Sequence, residues 1–115
     1  MSQRYVILHH LLPGDEHWDF MLEHGNTLLT WRIPRDPTLP GEWPIRCERI
    51  GDHRKAYLDY EGPVSGDRGV VTRVDRGPLE LEAVEEQRVV FVTGGRFQGR
   101  HVFQRSGVEW FLRPA

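Results

Sequence analysis

Residues 17–23 read HWDFMLE, so that metal-ligand and apolar side chains largely alternate along this stretch. Because successive side chains of a β-strand point to opposite faces of the sheet, the alternation predicts a strand with two chemically different faces. We expect the face with Trp18, Phe20 and Leu22 to pack in the core. The other face carries the candidate site residues: His17, Asp19, Met21 and Glu23.

A His-x-Asp pair lies on the second face of this predicted strand. His17 and Asp19 would have Cα atoms about 7 Å apart, from which both side chains can reach one divalent ion. A third ligand must come from elsewhere, and His9 and His10 are the nearest candidates upstream. The simpler interpretation is an amphipathic edge strand whose polar residues are only solvated.

The chain length and cysteine content indicate one domain that needs no disulfide. At 115 residues, the chain can bury a core of its own, and we predict a single domain over residues 1–115. The single Cys47 excludes an intrachain disulfide and a thiolate-metal cluster, which favours a reducing compartment. No signal peptide precedes the apolar residues 5–8, which are too few to cross a bilayer. We therefore predict a cytoplasmic protein without membrane contact.

Turn-forming residues recur along the chain and separate segments rich in β-branched and aromatic residues. Short strands at such spacing are typical of an all-β barrel or sandwich. The pattern also predicts a turn at residues 76–78, a helical turn at residues 54–58, and either a helix or a strand and turn at residues 81–87. The predicted strands are 4–9, 17–23, 27–33, 45–50, 69–75, 79–82, 88–93, 98–104 and 108–113.

Three further polar residues suit phosphate binding. His53 and Tyr57 are four residues apart, so a helical turn would let the imidazole and the phenol reach one phosphate oxygen. Arg35 follows Pro34, which ends a predicted strand, and a guanidinium there can bind phosphate. Solvated surface residues are the alternative for all three. Because the net charge is −2 with neutral histidines, any nucleic-acid contact must depend on a local basic patch.

Taken in order, these segments resemble the 3′-phosphoesterase domain found at the N-terminus of bacterial DNA ligase D and as a stand-alone protein. A family strand ending in His and a His-aromatic-Asp-Phe-Arg-Leu-Glu strand are similar to residues 5–10 and 17–23. The family stretch Leu-x-Ser-Trp-x-x-Pro-Lys-x-Pro resembles residues 28–37. The motif Glu-Asp-His-x-x-x-Tyr-x-x-Phe-Glu-Gly resembles residues 51–62. The last strands of the family domain are similar to residues 75–77, residues 97–100 and Trp110.

The resemblance implies a small antiparallel β-barrel with short flanking helical segments and a manganese-type site in its crater. Zinc and cobalt are alternative metals, because two histidines and a carboxylate suit several divalent ions. The implied metal ligands are His10, His17 and Asp19. The loop between the two histidines is one residue longer here than in the family, so a register shift by one residue would put His9 in place of His10.

The resemblance also implies which residues contact the substrate. His53 and Tyr57 would bind the phosphate, with His53 able to protonate the leaving oxygen, and Arg35 would take the place of the family's lysine. These three form the predicted catalytic group. A second group is assigned to substrate binding: His9, Glu23 and Arg68.

Two departures from the family bear on activity. Met21 stands where the family has an arginine on the metal-facing side, and losing such a cation can cost on the order of a hundredfold in rate. The glycine-rich loop is shortened to residues 63–69, in which Arg68 can replace a lost contact.

The implied reactions are removal of a 3′-terminal ribonucleoside from a DNA primer end and hydrolysis of a 3′-phosphate, in DNA end repair by non-homologous end joining. The implied partners are a nucleic-acid 3′ end, in DNA or a DNA/RNA primer-template, and a ligase or end-joining protein. The alternative is a catalytically silent relative that binds metal, a nucleic-acid end or a protein, which Met21 and the shortened loop favour. A structural barrel with surface histidines is the third interpretation.

Overall fold

The computed structural model describes residues 3–115, and these residues form an almost entirely β structure. The strands are β1 (Gln3–Leu12), β2 (Asp15–His24), β3 (Thr27–Ile33), β4 (Ile45–Arg54), β5 (Gly62–Pro63), β6 (Val70–Val84), β7 (Arg88–Gly94), β8 (Gln98–Ser106) and β9 (Glu109–Pro114). The helical element in this range is a four-residue 3-10 helix, Lys55–Leu58. No helix within residues 3–115 is long and apolar enough to cross a membrane.

Eight of the strands close into an antiparallel barrel. They pair in the order β1-β2-β3-β4-β9-β8-β7-β6, and β6 pairs back with β1 to complete the ring. The two-residue β5 pairs only with β6. Each of these eight strands therefore has a partner strand on both sides. The predicted antiparallel β-barrel is therefore confirmed, and the predicted helical turn near residues 54–58 is present as the 3-10 helix.

The barrel interior is a packed aromatic and aliphatic core to which all eight barrel strands contribute. Phe20 lies edge-on to Phe91, Phe97 and Phe103, with ring centroids 5.0–5.6 Å apart. The Trp31 ring stacks on Phe103 at a centroid distance of 3.9 Å. Because this interior is filled by side chains, the barrel supports a site on its wall and does not enclose one.

A second, smaller cluster lies outside the barrel, on the opposite face of β1, β2 and β3. It is covered by Leu58 of the 3-10 helix and, in part, by Val64 from the segment before β6. The sheet is therefore buried on both faces here, which explains why Met21 is only 1% exposed. The buried members of this outer cluster are Val6, Leu8, Met21, Leu28, Leu58 and Val71.

The predicted turn at residues 76–78 is wrong, because β6 runs without interruption through these residues. A Cβ at Gly77 would lie 3.2 Å from the Tyr5 ring and 3.1 Å from the backbone nitrogen of Gly95, so glycine serves close packing here. A register shift in the β1–β6 pairing opposite Ile7 and Leu8 bends the strand instead. The two strands predicted at 69–75 and 79–82 are thus one strand, and residues 81–87 form its end and a turn.

Candidate metal centre

Three of the predicted ligands converge at one end of the β1–β2 hairpin. His10 lies directly opposite His17 in the β1–β2 pairing, and Asp19 follows on the same face of β2. The Nδ1 atom of His10 lies 3.1 Å from Nε2 of His17. The Asp19 carboxylate approaches both rings, with Oδ2 3.6 Å from His10 Nδ1 and Oδ1 3.3 Å from His17 Nε2. Two nitrogens and one carboxylate thus face a common point.

These separations fit one divalent cation. Ligand atoms at 2.0–2.2 Å from a tetrahedral ion lie about 3.4 Å from one another, which is close to the distances found here. Asp19 is 3% exposed, and its Oδ1 atom has no hydrogen-bond partner among the described residues. A buried carboxylate oxygen without a donor is costly, and a cation bound beside it would offset that cost. The residues present therefore fit a metal ion.

Hydrogen bonds on the far side of each ring fix its orientation. His10 donates from Nε2 to the backbone carbonyl of Arg68 at 2.6 Å. His17 donates from Nδ1 to the Asp15 carboxylate at 3.3 Å. These bonds leave Nδ1 of His10 and Nε2 of His17 as the electron-pair donors that face Asp19. Residues outside the ligand group thus select the ring nitrogens that could bind a metal.

The electrostatics of the group favour positive charge. The Asp19 carboxylate, whose Oδ1 atom lies 3.3 Å from Nε2 of His17, raises the pKa of His17 above its ordinary value, while burial and the nearby Arg32 guanidinium oppose this change. The dominant effect is therefore that of the buried carboxylate. A proton or a cation placed between Asp19 and His17 would be stabilised by the same charge.

His53 and Tyr57 line a cavity that the three candidate ligands also line. The cavity has a volume of about 320 Å³, and its lining includes these two residues, the three candidate ligands and Met21. His53 donates from Nδ1 to the Gly51 carbonyl at 2.9 Å, and its ring lies edge-on to that of Tyr57 at 5.5 Å. The end of β4 supplies His53 and the 3-10 helix supplies Tyr57. Both candidate phosphate ligands therefore face the same space as the candidate metal ligands.

Arg68 of the predicted substrate-binding group also lines this cavity. Its guanidinium donates to the Ser65 carbonyl at 2.7 Å and to the Ser65 hydroxyl at 3.2 Å. Together with the bond that its carbonyl accepts from His10, these contacts make Arg68 a residue that positions the cavity wall.

His9 lies apart from the cluster. Alternation along β1 turns it to the same side as Trp18, on which its ring stacks at a centroid distance of 4.8 Å. Its Nε2 atom is paired with the Glu16 carboxylate at 2.9 Å. Of the two neighbouring histidines, the structure brings His10 to the candidate metal centre.

Two other predicted site residues have structural partners elsewhere. The Arg35 guanidinium donates to three backbone carbonyls of its own loop, including that of Glu42 at 2.7 Å, and lies over the Trp43 ring. Glu23 pairs with Lys55 at 2.8 Å and accepts a bond from the Arg4 backbone at 2.9 Å. The structure therefore does not bring Arg35 to the cluster, and it uses Glu23 to attach the 3-10 helix to the barrel.

Sequence reasoning missed Arg32, which lines the cavity from β3. Arg32 is the cross-strand partner of Asp19, and its guanidinium lies 3.6 Å from the Glu48 carboxylate on β4. The sequence does contain a signal for this position. A tight turn at residues 25–26 between the two predicted strands sets Arg32 opposite Asp19. The burial of Trp31 then directs Arg32 outward.

Barrel and cavity together define a class: a small closed β-barrel that carries a His-His-Asp group and a His-Tyr pair on its outer wall. The chain belongs to the DNA ligase D 3′-phosphoesterase domain family, whose sequence profile matches residues 9–105. The resemblance noted from the motifs is thereby confirmed.

Curated relatives are much longer than this chain. A multifunctional non-homologous end joining protein LigD from Pseudomonas aeruginosa is 31% identical, over 86% of this chain and 14% of the relative. A protein of the same name from Mycobacterium bovis is also 31% identical, over 82% of this chain and 14% of the relative. The chain thus spans about a seventh of the length of these relatives.

Proposed function

We propose that this protein is a metal-dependent phosphoesterase that processes nucleic-acid 3′ ends. The observation that carries the proposal is the convergence of His10, His17 and Asp19 in the cavity that His53 and Tyr57 also line. Membership of a 3′-phosphoesterase domain family supports the reaction class.

The substrate we propose is a DNA or DNA/RNA primer-template that ends in a 3′-phosphate or a 3′-ribonucleotide. The names of the relatives support a role in non-homologous end joining, where such ends must become 3′-hydroxyls before ligation. A ligase or another end-joining protein is the corresponding partner, and the cytoplasm is the corresponding location.

The proposed cofactor is a divalent cation, with manganese first and zinc or cobalt as alternatives. His10, His17 and Asp19 would hold it. When bound, such a cation supplies positive charge to the phosphoryl group and makes a nearby water more acidic. Two nitrogen ligands and one carboxylate leave coordination positions for substrate and solvent.

Proton transfer and orientation of the phosphate would be the roles of His53 and Tyr57, which line the same cavity. Because Nδ1 of His53 donates to the Gly51 carbonyl, Nε2 is the atom that can exchange a proton with the substrate. In its protonated form this imidazole would donate to a phosphate oxygen or to the leaving oxygen. The Tyr57 hydroxyl would orient the same phosphate by a second hydrogen bond. The bond from His10 to Arg68 keeps the metal-binding wall in place during these steps.

The second candidate is a relative that binds a metal or a nucleic-acid end without turnover. The observation that favours it is Met21, which is buried in the outer cluster where the family has a cation. An apolar side chain there provides no hydrogen bond to a phosphate.

The experiment is an assay of 3′-end release from a primer-template that carries a 3′-phosphate or a single 3′-ribonucleotide, with and without manganese. We expect manganese-dependent release by the unchanged protein, and loss of release and of metal binding in His17→Ala. His24→Ala is the matched control, because His24 is exposed at the far end of the same strand.

Each result decides between the candidates. Manganese-dependent release that is lost only in His17→Ala supports the phosphoesterase. Metal binding at His17 without release from either substrate makes the protein a silent relative. Stoichiometric metal retained in His17→Ala would contradict the assigned centre.

A further inference from the structure

We propose that Arg32 binds the substrate phosphate and replaces the cation that Met21 no longer provides, an inference that rests on the proposed phosphoesterase function. The starting point is position 21 itself. Met21 is fully enclosed by the outer cluster, and its cross-strand partner on β3 is Thr30, which is also buried. The floor of the cavity therefore offers no positive charge to a phosphate.

The nearest position on β3 that faces outward beside the candidate ligands is Arg32. It pairs directly with Asp19 on β2 and with Glu48 on β4, so one row across three strands reads Asp19, Arg32, Glu48. Directly paired residues of adjacent strands have Cβ atoms about 5 Å apart. Arg32 accordingly lines the cavity that holds the three candidate ligands. A guanidinium on this row lies beside the candidate metal centre, two residues along the strand from the Met21–Thr30 pair.

The guanidinium of Arg32 is available for a ligand. Its ion pair with Glu48 has a separation of 3.6 Å, and the side chains of Arg32 and Glu48 are 44% and 66% exposed. Such solvated pairs are weak and exchange readily. The other arginine that lines the cavity, Arg68, already donates to the carbonyl and hydroxyl of Ser65. Of these two arginines, Arg32 is the one that a phosphate can recruit without breaking a bond to the backbone.

The chemistry of the site calls for such a cation. A divalent metal held by two neutral histidines and one carboxylate has a net charge of +1, whereas a terminal phosphate carries about −1.5 to −2 at neutral pH. One guanidinium supplies the missing charge, and its planar pair of N–H groups matches two phosphate oxygens. Substrate binding then transfers Arg32 from Glu48 to the phosphate, so Glu48 competes with the substrate for Arg32.

The test measures binding of inorganic phosphate to the manganese-loaded protein by calorimetry, together with KM for a 3′-phosphate oligonucleotide. We expect Arg32→Ala to weaken phosphate binding and raise KM by about tenfold to a hundredfold without weakening manganese binding, because Arg32 opposes positive charge at His17. Arg32→Lys should recover part of the loss, and Glu48→Gln should tighten phosphate binding. Arg46→Ala is the matched control, because Arg46 pairs with Glu109 at 2.8 Å and does not line the cavity.

The outcomes for this inference and for the proposed function differ. Phosphate affinity in Arg32→Ala equal to that of the unchanged protein overturns the role of Arg32, as does a failure of the unchanged manganese-loaded protein to bind phosphate. Phosphate binding that depends on Arg32, in a protein that hydrolyses neither substrate, supports the inference and contradicts the phosphoesterase. Thermal melting of each variant shows whether it has folded.

Discussion

The burial of Asp19 distinguishes a candidate site from a surface of solvated polar side chains. A structural barrel with surface histidines would expose the polar face of β2, yet Asp19 and His17 are only 3% and 4% exposed. Burying a carboxylate beside apolar neighbours is costly unless positive charge or hydrogen-bond donors compensate. The exposure of these two residues is therefore contrary to the third interpretation made from the sequence.

Asp19→Asn should abolish the stabilisation that manganese gives to the protein. A ligand present at a hundred times its Kd stabilises the folded state by about 2.7 kcal/mol, which raises the melting temperature by several degrees. The amide is a poor ligand and removes the charge, so we expect no such rise in the variant. Calorimetric melting with and without manganese measures both proteins, and an equal rise in Asp19→Asn would remove Asp19 from the ligand group.

At the scale of elements, one buried carboxylate joins three parts of the barrel. Asp75 on β6 accepts hydrogen bonds from the Tyr5 hydroxyl on β1 at 2.6 Å and from the Phe97 backbone at 2.8 Å. The Arg96 backbone also donates to it, at 3.1 Å. The turn between β7 and β8 is thus attached to the β1–β6 seam that closes the barrel.

Burial, assisted by the neighbouring Asp75 carboxylate, raises the pKa of Tyr5 above its ordinary value. The unfolded chain then ionises first, so this contribution to stability is full below about pH 10 and declines as the pH rises further. Tyr5→Phe should lower the free energy of unfolding by about 1–3 kcal/mol near neutral pH and should flatten the decline above pH 10. Urea unfolding across this pH range checks both effects. An equally steep alkaline decline in Tyr5→Phe would assign it to another group.

The sequence predicts a secondary-structure element well where the local residue pattern determines it, and poorly where contacts between residues distant in sequence determine it. Strand β2 follows from alternation alone, and a two-residue turn at Pro13 and Gly14 sets His10 opposite His17. The length of β6 does not follow, because Gly77 serves packing against Tyr5, a contact distant in sequence. The sequence predicts Arg35 in the site because Pro34 ends a strand and because the resemblance matches Arg35 to the family's lysine. The loop that folds this guanidinium back onto its own carbonyls has no comparable local signal.

On the scale of the whole molecule, the larger core and the candidate site lie on opposite faces of the same barrel wall. The interior around Phe103 is closed and aromatic, while the ligands point outward. Changes in the core should therefore alter the stability of the fold more than the properties of the site.

Phe103→Ala tests this separation. Phe103 is fully buried against Trp31 and Phe91, so its truncation should cost about 3–5 kcal/mol of unfolding free energy. The manganese affinity of the folded protein should stay close to that of the unchanged protein. Urea midpoints and calorimetric titration give the two values, with Phe103→Leu as the milder control. A large loss of affinity in the Leu variant would show that interior and site are coupled.

The connection between β4 and β6 supplies Tyr57 and Arg68, yet the barrel ring closes without it, because β4 pairs with β3 and β9 and β6 with β1 and β7. The candidate metal ligands therefore lie on strands of the barrel ring, whereas this connection is a segment outside the ring. An engineered protein with a different connection at this point would need an apolar side chain that covers the outer cluster, as Leu58 does, and a backbone carbonyl that accepts the hydrogen bond from His10, as that of Arg68 does.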